Sequence, residues 1–372
     1  MKRCRRMIVA FAVTELVCAS TAWAGSDSFQ ILIPDGFVGT SGVVLYGVAD
    51  AGLQYSQAGN KQVFGMESGA GATSRFGFLG VEQLGGGLSV RFNLESAIKL
   101  TNGTAGGITA QNENTFFSRE ANISLISNDW GRLKLGRQYP TELSLALDPF
   151  LGVGAFSPYG SLAALSSDLG TAATIGDYRI SNAVAYMTPI MGGLQFEVMA
   201  APRGVTTPGY PATYFQGAQA EYLNGPLYLG AFYDVIRTDP SAALPSVKNK
   251  WLGAGAMYTV GVVRLSYEFN MTVPDYPGYY IATTHMIGVS AQQGTNDVKF
   301  SVVYRNVAGK SAANSVAIGL GYDYNLSKVT AIYTRVGYVI NQKNAIATLA
   351  NGVLSQPGDN QSVIAVGIRK RF

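Results

Sequence analysis

The stretch TSRFGFLGVEQLGGGLSVRFNLES, Thr73 to Ser96, decides the fold. In its second half Leu88, Val90, Phe92 and Leu94 are apolar, while Ser89, Arg91, Asn93 and Glu95 are polar or charged. A period of two that runs without exception through these positions is the side-chain period of a strand, not of a helix. Gly85, Gly86 and Gly87 supply a tight turn with no Cβ penalty, and before them Phe76 and Phe78 alternate with Arg75, Gly77 and Leu79. The stretch therefore predicts a β-hairpin with one apolar face and one face that carries both signs of charge. Such a hairpin suits a soluble sheet packed on another, or an outer-membrane barrel whose apolar face meets lipid and whose charged face lines water.

Composition favours the barrel. Only 13% of the 372 residues are charged, against about 25% in ordinary soluble domains. No apolar run of about 18 residues follows the N-terminal leader, so a transmembrane helix is excluded. The 45 glycines, 21 tyrosines and 17 phenylalanines fit barrel turns and interfacial aromatic girdles.

Residues 1–24 read as a secretory signal peptide: Lys2, Arg3, Arg5 and Arg6 precede an apolar core from Met7 to Cys18, and Ala22-Trp23-Ala24 forms the cleavage site. Glu15 is atypical within that core. Leu16-Val17 before Cys18 argue against a lipoprotein site, which needs a small residue there. Residues 25–372 are the expected mature barrel, with a lead from Gly25 to Ser41 that the pattern does not place. Both cysteines, Cys4 and Cys18, leave with the leader. Four of the 27 basic residues and one of the 23 acidic residues leave too. The near-neutral remainder excludes a basic nucleic-acid binder.

Alternation recurs along the chain in about 16 segments. Val43 to Tyr55 is the first, followed by an expected loop of Ser, Gly and Asn; after the opening hairpin, Leu100 to Asn114 reads as an exposed loop. Phe116 to Leu125 pairs with Arg132 to Tyr139. The pattern then stops from Pro140 to Asp177 and resumes in hairpins that end with Ser362 to Phe372. A loop as long as 140–177 inside a compact domain carries function.

Several words resemble general diffusion porins of Gram-negative bacteria, of the β-proteobacterial type. They are Ser74-Arg75-Phe76-Gly77-Phe78-Leu79-Gly80, Glu82-Gln83-Leu84-Gly85-Gly86-Gly87-Leu88 and Leu45-Tyr46-Gly47-Val48-Ala49-Asp50-Ala51-Gly52. Gly136-Arg137-Gln138-Tyr139 and Asp148-Pro149-Phe150 resemble the approach to, and the start of, that family's constriction loop. The resemblance implies an all-β, 16-stranded, trimeric transmembrane antiparallel barrel in the outer membrane, narrowed by an infolded loop at 140–177. It implies lipid, lipopolysaccharide and barrel-assembly machinery as partners, the last reading Phe372 as its signal. Inorganic ions and small hydrophilic solutes are the expected cargo, and no cofactor is implied.

The resemblance also selects Arg75, Arg119 and Arg179 for the wall opposite the loop. Alternation adds Arg91 to the inward face but disagrees on Arg119, which shares parity with Ala121, Ile123 and Leu125. Val48 stands where some relatives have a lysine. The loop offers Glu142, Asp148, Asp168 and Asp177, and cations facing carboxylates set a transverse field in a narrow passage. With so few acids, a mild anion preference is expected. Arg264 shares a polar face with Glu268, and Lys299 with Arg305. Arg132 and Arg137 are expected to pair with carboxylates at a rim or subunit contact.

Catalytic chemistry has little to work with. The single histidine, His285, lies in a predicted strand with no nucleophile–base constellation, and no P-loop, zinc or EF-hand spacing occurs. Two other functions share the leader and the alternation: a substrate-specific channel and a secreted β-rich adhesion protein.

Overall fold

The computed structural model describes residues 41–108, 114–143, 145–152, 156–175, 179–202, 213–238, 245–349 and 356–372. The leader 1–24, the lead 25–40 and Asp177 lie outside them. No helix among the described residues is long and apolar enough to cross a membrane; strands do the crossing.

The strands are β1 (Gly42–Ala58), β2 (Lys61–Ser68), β3 (Arg75–Gly85), β4 (Leu88–Ala97), β5 (Gly107–Ile108), β6 (Asn114–Thr115), β7 (Glu120–Ser127), β8 (Gly131–Gln138), β9 (Ile180–Met187) and β10 (Leu194–Ala201). They continue as β11 (Thr213–Asn224), β12 (Leu227–Thr238), β13 (Lys248–Val260), β14 (Val263–Asp275), β15 (Ile281–Gln293), β16 (Asn296–Ala308), β17 (Ser315–Ser327), β18 (Thr330–Asn341) and β19 (Gln361–Arg371). The short pair β5–β6 is a hairpin within an external loop. β2 and β3 face successive halves of β1 and act as one interrupted strand. The result is a closed barrel of 16 antiparallel strands.

Closure is made by β1 on β19, in register from Val48 opposite Arg371 to Ala58 opposite Gln361. Phe372 extends it: its backbone N–H donates to Gly47 O at 3.1 Å and its carbonyl accepts from Gly47 N at 2.9 Å. No strand edge is left to lipid, where an unpaired backbone group costs several kcal/mol.

Alternation divides the two faces as the sequence predicts. Val43, Leu45, Leu53, Ile123, Val198, Ile287, Leu320, Ile364, Val366 and Ile368 are exposed on the outside, where hydrocarbon replaces water. Tyr258, Tyr322 and Tyr324 lie toward the short turns of their strands, and Tyr233, Tyr304 and Tyr338 toward the long loops, which makes the two aromatic girdles.

One expected loop is a strand. The polar run after Tyr55 continues β1 to Ala58, turns at Gly59-Asn60 and returns as β2. The true interruption is 69–74, where the Asp50 carboxylate accepts from Ala72 N at 2.9 Å and from the Tyr333 hydroxyl at 2.5 Å.

The apolar core lies inside the barrel, between the wall and residues 140–175. That loop carries a 3-10 turn, Leu145–Leu147, and a short helix, α1 (Pro158–Ala163). Ser157 caps α1 by accepting from Gly160 N at 2.8 Å, and Pro158 suits the first helical position because it lacks the N–H that would go unpaired there. Leu143, Leu147, Phe150, Phe156, Tyr159 and Leu162 pack on Tyr228, Trp251, Met286, Val303, Ala317 and Val339 of β12 to β18.

Glycines on the wall permit this contact, a use beyond the turns assigned to them from composition. Gly288, Ser301, Gly319 and Gly337 form one cross-strand row. A Cβ at Gly319 would stand 2.6 Å from Pro158 Cγ and 3.0 Å from the Phe150 ring. A bare backbone track thus lets the loop lie close to the wall. Residues 342–349 also fold inward, which the sequence pattern did not show: Ala345, Ala347 and Leu349 are buried, and Leu349 N donates to Gln361 Oε1 at 2.7 Å.

Candidate constriction site

Arg75 opens β3, and Glu95 lies on the neighbouring β4. Arg119 and Arg179 stand one residue before β7 and β9. The wall thereby brings together the three arginines selected from the sequence. Glu95 Oε2 lies 3.4 Å from Arg75 Nε, while its Oε1 accepts from Arg119 Nε. Arg119 Nη2 donates to the Tyr139 hydroxyl at 2.8 Å, and the Arg179 guanidinium stacks over the Tyr139 ring at 3.3 Å. Glu95 and Tyr139 are the cement of this ladder. Alternation places Glu95 on the inward face, but only the fold shows that one carboxylate serves two arginines.

The parity conflict over Arg119 has a simple origin. The strand begins at Glu120, later than the expected Phe116, and inward burial falls on Glu120, Asn122 and Ser124. Arg119 precedes the strand and is freed from its alternation; its N–H donates to Glu95 O at 3.1 Å. Arg91 faces the lumen as expected but stands apart from the ladder, with Glu120 as its charged neighbour.

The loop acids divide by task. Glu142 is buried beside Arg179 and Glu197, and its N–H donates to Gln219 Oε1 at 3.0 Å. Asp148 braces the loop itself: its carboxylate accepts from Phe150 N at 2.9 Å, Gly152 N at 3.0 Å and Ser157 Oγ at 2.5 Å. Burial raises its carboxyl above the usual carboxylate range. Asp168 ties the loop to β16 through two 2.8 Å bonds with Arg305. Further acids near Glu142 come from the strands: Glu197 is its charged neighbour, and the buried Asp234 accepts from Thr141 Oγ1 at the root of the loop.

Arg132 stands at the start of β8, beside the turn that follows β7, on an inward position with Glu197 as its charged neighbour. Arg137 lies near the rim, where it donates to Ser118 O and Ser181 Oγ, each at 2.8 Å. His285 faces outward, its Nδ1 2.9 Å from the Tyr267 hydroxyl and its ring 5.1 Å from Phe269. Among the described residues no group of three or more His, Cys, Asp or Glu could hold a metal ion.

Glu142 makes the site sensitive to pH. Burial lifts its pKa to about 7, against the pull of Arg179 and with a further push from Glu197. A carboxyl with a raised pKa loses its charge as pH falls through that value. Acidification from pH 8 to pH 6 is expected to strengthen selection for anions, and Glu142→Gln to abolish most of that dependence. Reversal potentials at the two pH values check this; an unchanged slope in the variant removes Glu142 from the account.

A closed barrel with a lipid-facing apolar band, an infolded loop and a charged lumen defines an outer-membrane diffusion channel. The chain belongs to the Gram-negative porin family, whose profile matches residues 9–344. It is 31% identical over 348 residues to outer membrane porin protein 32 of Delftia acidovorans, covering 89% of this chain and 94% of that one. An outer membrane porin of Bordetella pertussis is 28% identical over 400 residues, covering 91% and 97%. Among solved structures, an anion-selective porin from Comamonas acidovorans superposes with a TM-score of 0.77 at 28% identity, covering 90% of this chain and all of that one. The protein is thus a porin of the Gram-negative outer membrane.

Proposed function

We propose that the protein is a general diffusion pore with a mild preference for anions, formed by a homotrimer after removal of residues 1–24. The carrying observation is the ladder: Arg75, Arg119 and Arg179 gather around Glu95 and Tyr139 on the lumen wall. That concentration of guanidinium groups lies in a narrowed, partly dehydrated passage, where charge acts more strongly than in bulk water. The resemblance to a porin described as anion-selective supports the same sign.

The aromatic group of Phe76, Phe78 and Phe116, joined by ring contacts on and beside β3 and with Phe78 and Phe116 exposed, supports burial of this outer face against a second subunit. Lipid and lipopolysaccharide cover the remaining band, and the barrel-assembly machinery reads the terminal Phe372. Arg75, Arg91, Arg119, Arg179 and Glu142 act on the permeating ion, while Asp148 and Asp168 hold the loop that sets the aperture. The protein performs no catalysis in this reading.

Liposome swelling with uncharged sugars of graded size tests generality. Rates that fall smoothly with size, without regard to stereochemistry, are expected. A sharp preference for one sugar over its epimer would replace the general pore with a substrate-specific channel.

A further inference from the structure

On the short-turn side of the constriction the lumen wall carries cations that the ladder does not use. Arg371 in β19 faces inward and lies in register with Val48 of β1, which in turn lies in register with Arg75 of β3. One cross-strand row therefore holds two arginines on either side of a valine, two strand spacings or about 10 Å apart. Arg371 has no ion pair or side-chain hydrogen bond among the described residues, and its charged neighbours are Arg369, Arg75, Asp323 and Asp297.

A second row runs Arg264, Ser290, Lys299, Gly321, Arg335 across β14 to β18. Two carboxylates serve this region. Asp323 takes Arg335 at 2.5 Å, Arg369 at 3.2 Å and Lys299 at 3.8 Å, and Asp297 pairs with Lys299. Arg264 makes no ion pair among the described residues, and its Nε is buried without a hydrogen-bond partner. Five cations thus face two carboxylates, and neither Arg264 nor Arg371 is in direct contact with one among the described residues.

We propose that Arg371, Arg369 and Arg335, with Arg264 farther along the same wall, form a second anion station that holds small divalent oxyanions as they leave or approach the Arg75 ladder. The inference rests on the anion-preferring pore proposed above and extends it toward the short-turn mouth. Guanidinium groups suit a tetrahedral oxyanion because each offers a planar fork of donors. Arg335 spends Nη1 on Asp323 and the carbonyls of Thr334 and Tyr322 and Arg369 gives Nη2 to Asp323, which leaves their other N–H groups for a ligand. Arg371, which makes no ion pair among the described residues, supplies the charge that a divalent anion repays more than chloride does. The neutral Val48 between Arg371 and Arg75 separates the station from the ladder.

Sulfate is the probe. Chloride currents through reconstituted channels are recorded while sulfate is added, and the reversal potential in a KCl gradient is read from the same channels. Sulfate is expected to reduce the wild-type chloride current, and Arg371→Gln to raise the half-blocking concentration by about fivefold, the scale expected when one cation leaves a partly screened site. Val48→Lys in the Arg371→Gln background returns a cation to the same row and is expected to restore the block. Arg264→Gln, remote from the closing contact of Phe372, gives a second and smaller rise and keeps the test open should Arg371→Gln fail to assemble. Anion-selective channels that sulfate does not block, or blocks equally in the wild type, Arg371→Gln and Arg264→Gln, overturn the station and leave the general pore standing. A wild-type reversal potential on the potassium side overturns both.

Discussion

Replacing Arg75 and Arg179 together by alanine is expected to erase the anion preference and move the reversal potential to the potassium side of zero. The ladder explains the size of the effect. With both removed, Arg119 stays paired to Glu95 while Glu120 and Glu142, charged neighbours of Arg179, remain, so the local balance moves by two charges toward the negative. A unit charge about 4 Å from an ion is worth about 1 kcal/mol in water and about 4 kcal/mol at an effective dielectric of about 20. The loss of two should change the chloride-to-potassium permeability ratio by about tenfold, since about 1.4 kcal/mol is one decade. The single variants should fall between wild type and double variant, with Arg179→Ala also freeing the Tyr139 ring it covers. Bilayer recordings in a KCl gradient check the order, and a double variant that keeps the wild-type reversal potential removes the ladder from selectivity.

Asp168→Ala is expected to release the constriction loop. Asp168 and Arg305 are both about 1% exposed at the side chain and meet through two 2.8 Å bonds. Breaking a buried pair by removing one partner costs about 3–5 kcal/mol because the other charge stays buried. Arg305 would keep one bond, from Nη2 to Leu165 O at 2.7 Å, which belongs to the same loop and holds it less firmly. Larger, noisier single-channel conductance and faster cleavage within 140–177 by added protease are the expected readouts. Asp168→Asn, which retains an acceptor for Arg305, should show less of both. Conductance and proteolysis identical to wild type in Asp168→Ala would mean that the apolar seat of Phe150, Phe156 and Leu162 suffices to hold the loop.

The barrel was legible in the sequence because lipid and water lie on opposite sides of every strand. Leu88 to Glu95 shows the period of two without interruption, and the same contrast carries Val43 to Tyr55 and Ser362 to Phe372. Legibility failed where that contrast weakens. Gln57, Asn60, Lys61 and Gln62 surround a two-residue turn and disguise β2 as loop, since both of its faces near the rim are solvated. The parity of Arg119 misled because a strand boundary moved by a few residues carries a side chain out of the alternation altogether.

Three arginines of the site were found through a family resemblance, and the geometry joins them. The acids were harder to place. Asp148 and Asp168 lie in the right loop, but sequence position does not tell a carboxylate that faces an ion from one that accepts the loop's own N–H groups or anchors it to a strand. Glu197 and Asp234 belong to two strands far from the loop in sequence and meet Glu142 only when the barrel closes. The same holds for Gly288, Gly319 and Gly337, whose purpose becomes visible once Pro149, Phe150 and Phe156 lie against them. Non-local contacts of this kind leave no periodic trace.

The reversal potential of wild-type channels in a KCl gradient at neutral pH tests the central claim most directly. The arginine ladder predicts stepwise insertion of open channels whose reversal potential lies toward the chloride equilibrium potential. A reversal potential toward potassium would contradict it, and would mean that Glu142 and Glu197 outweigh the ladder across the passage.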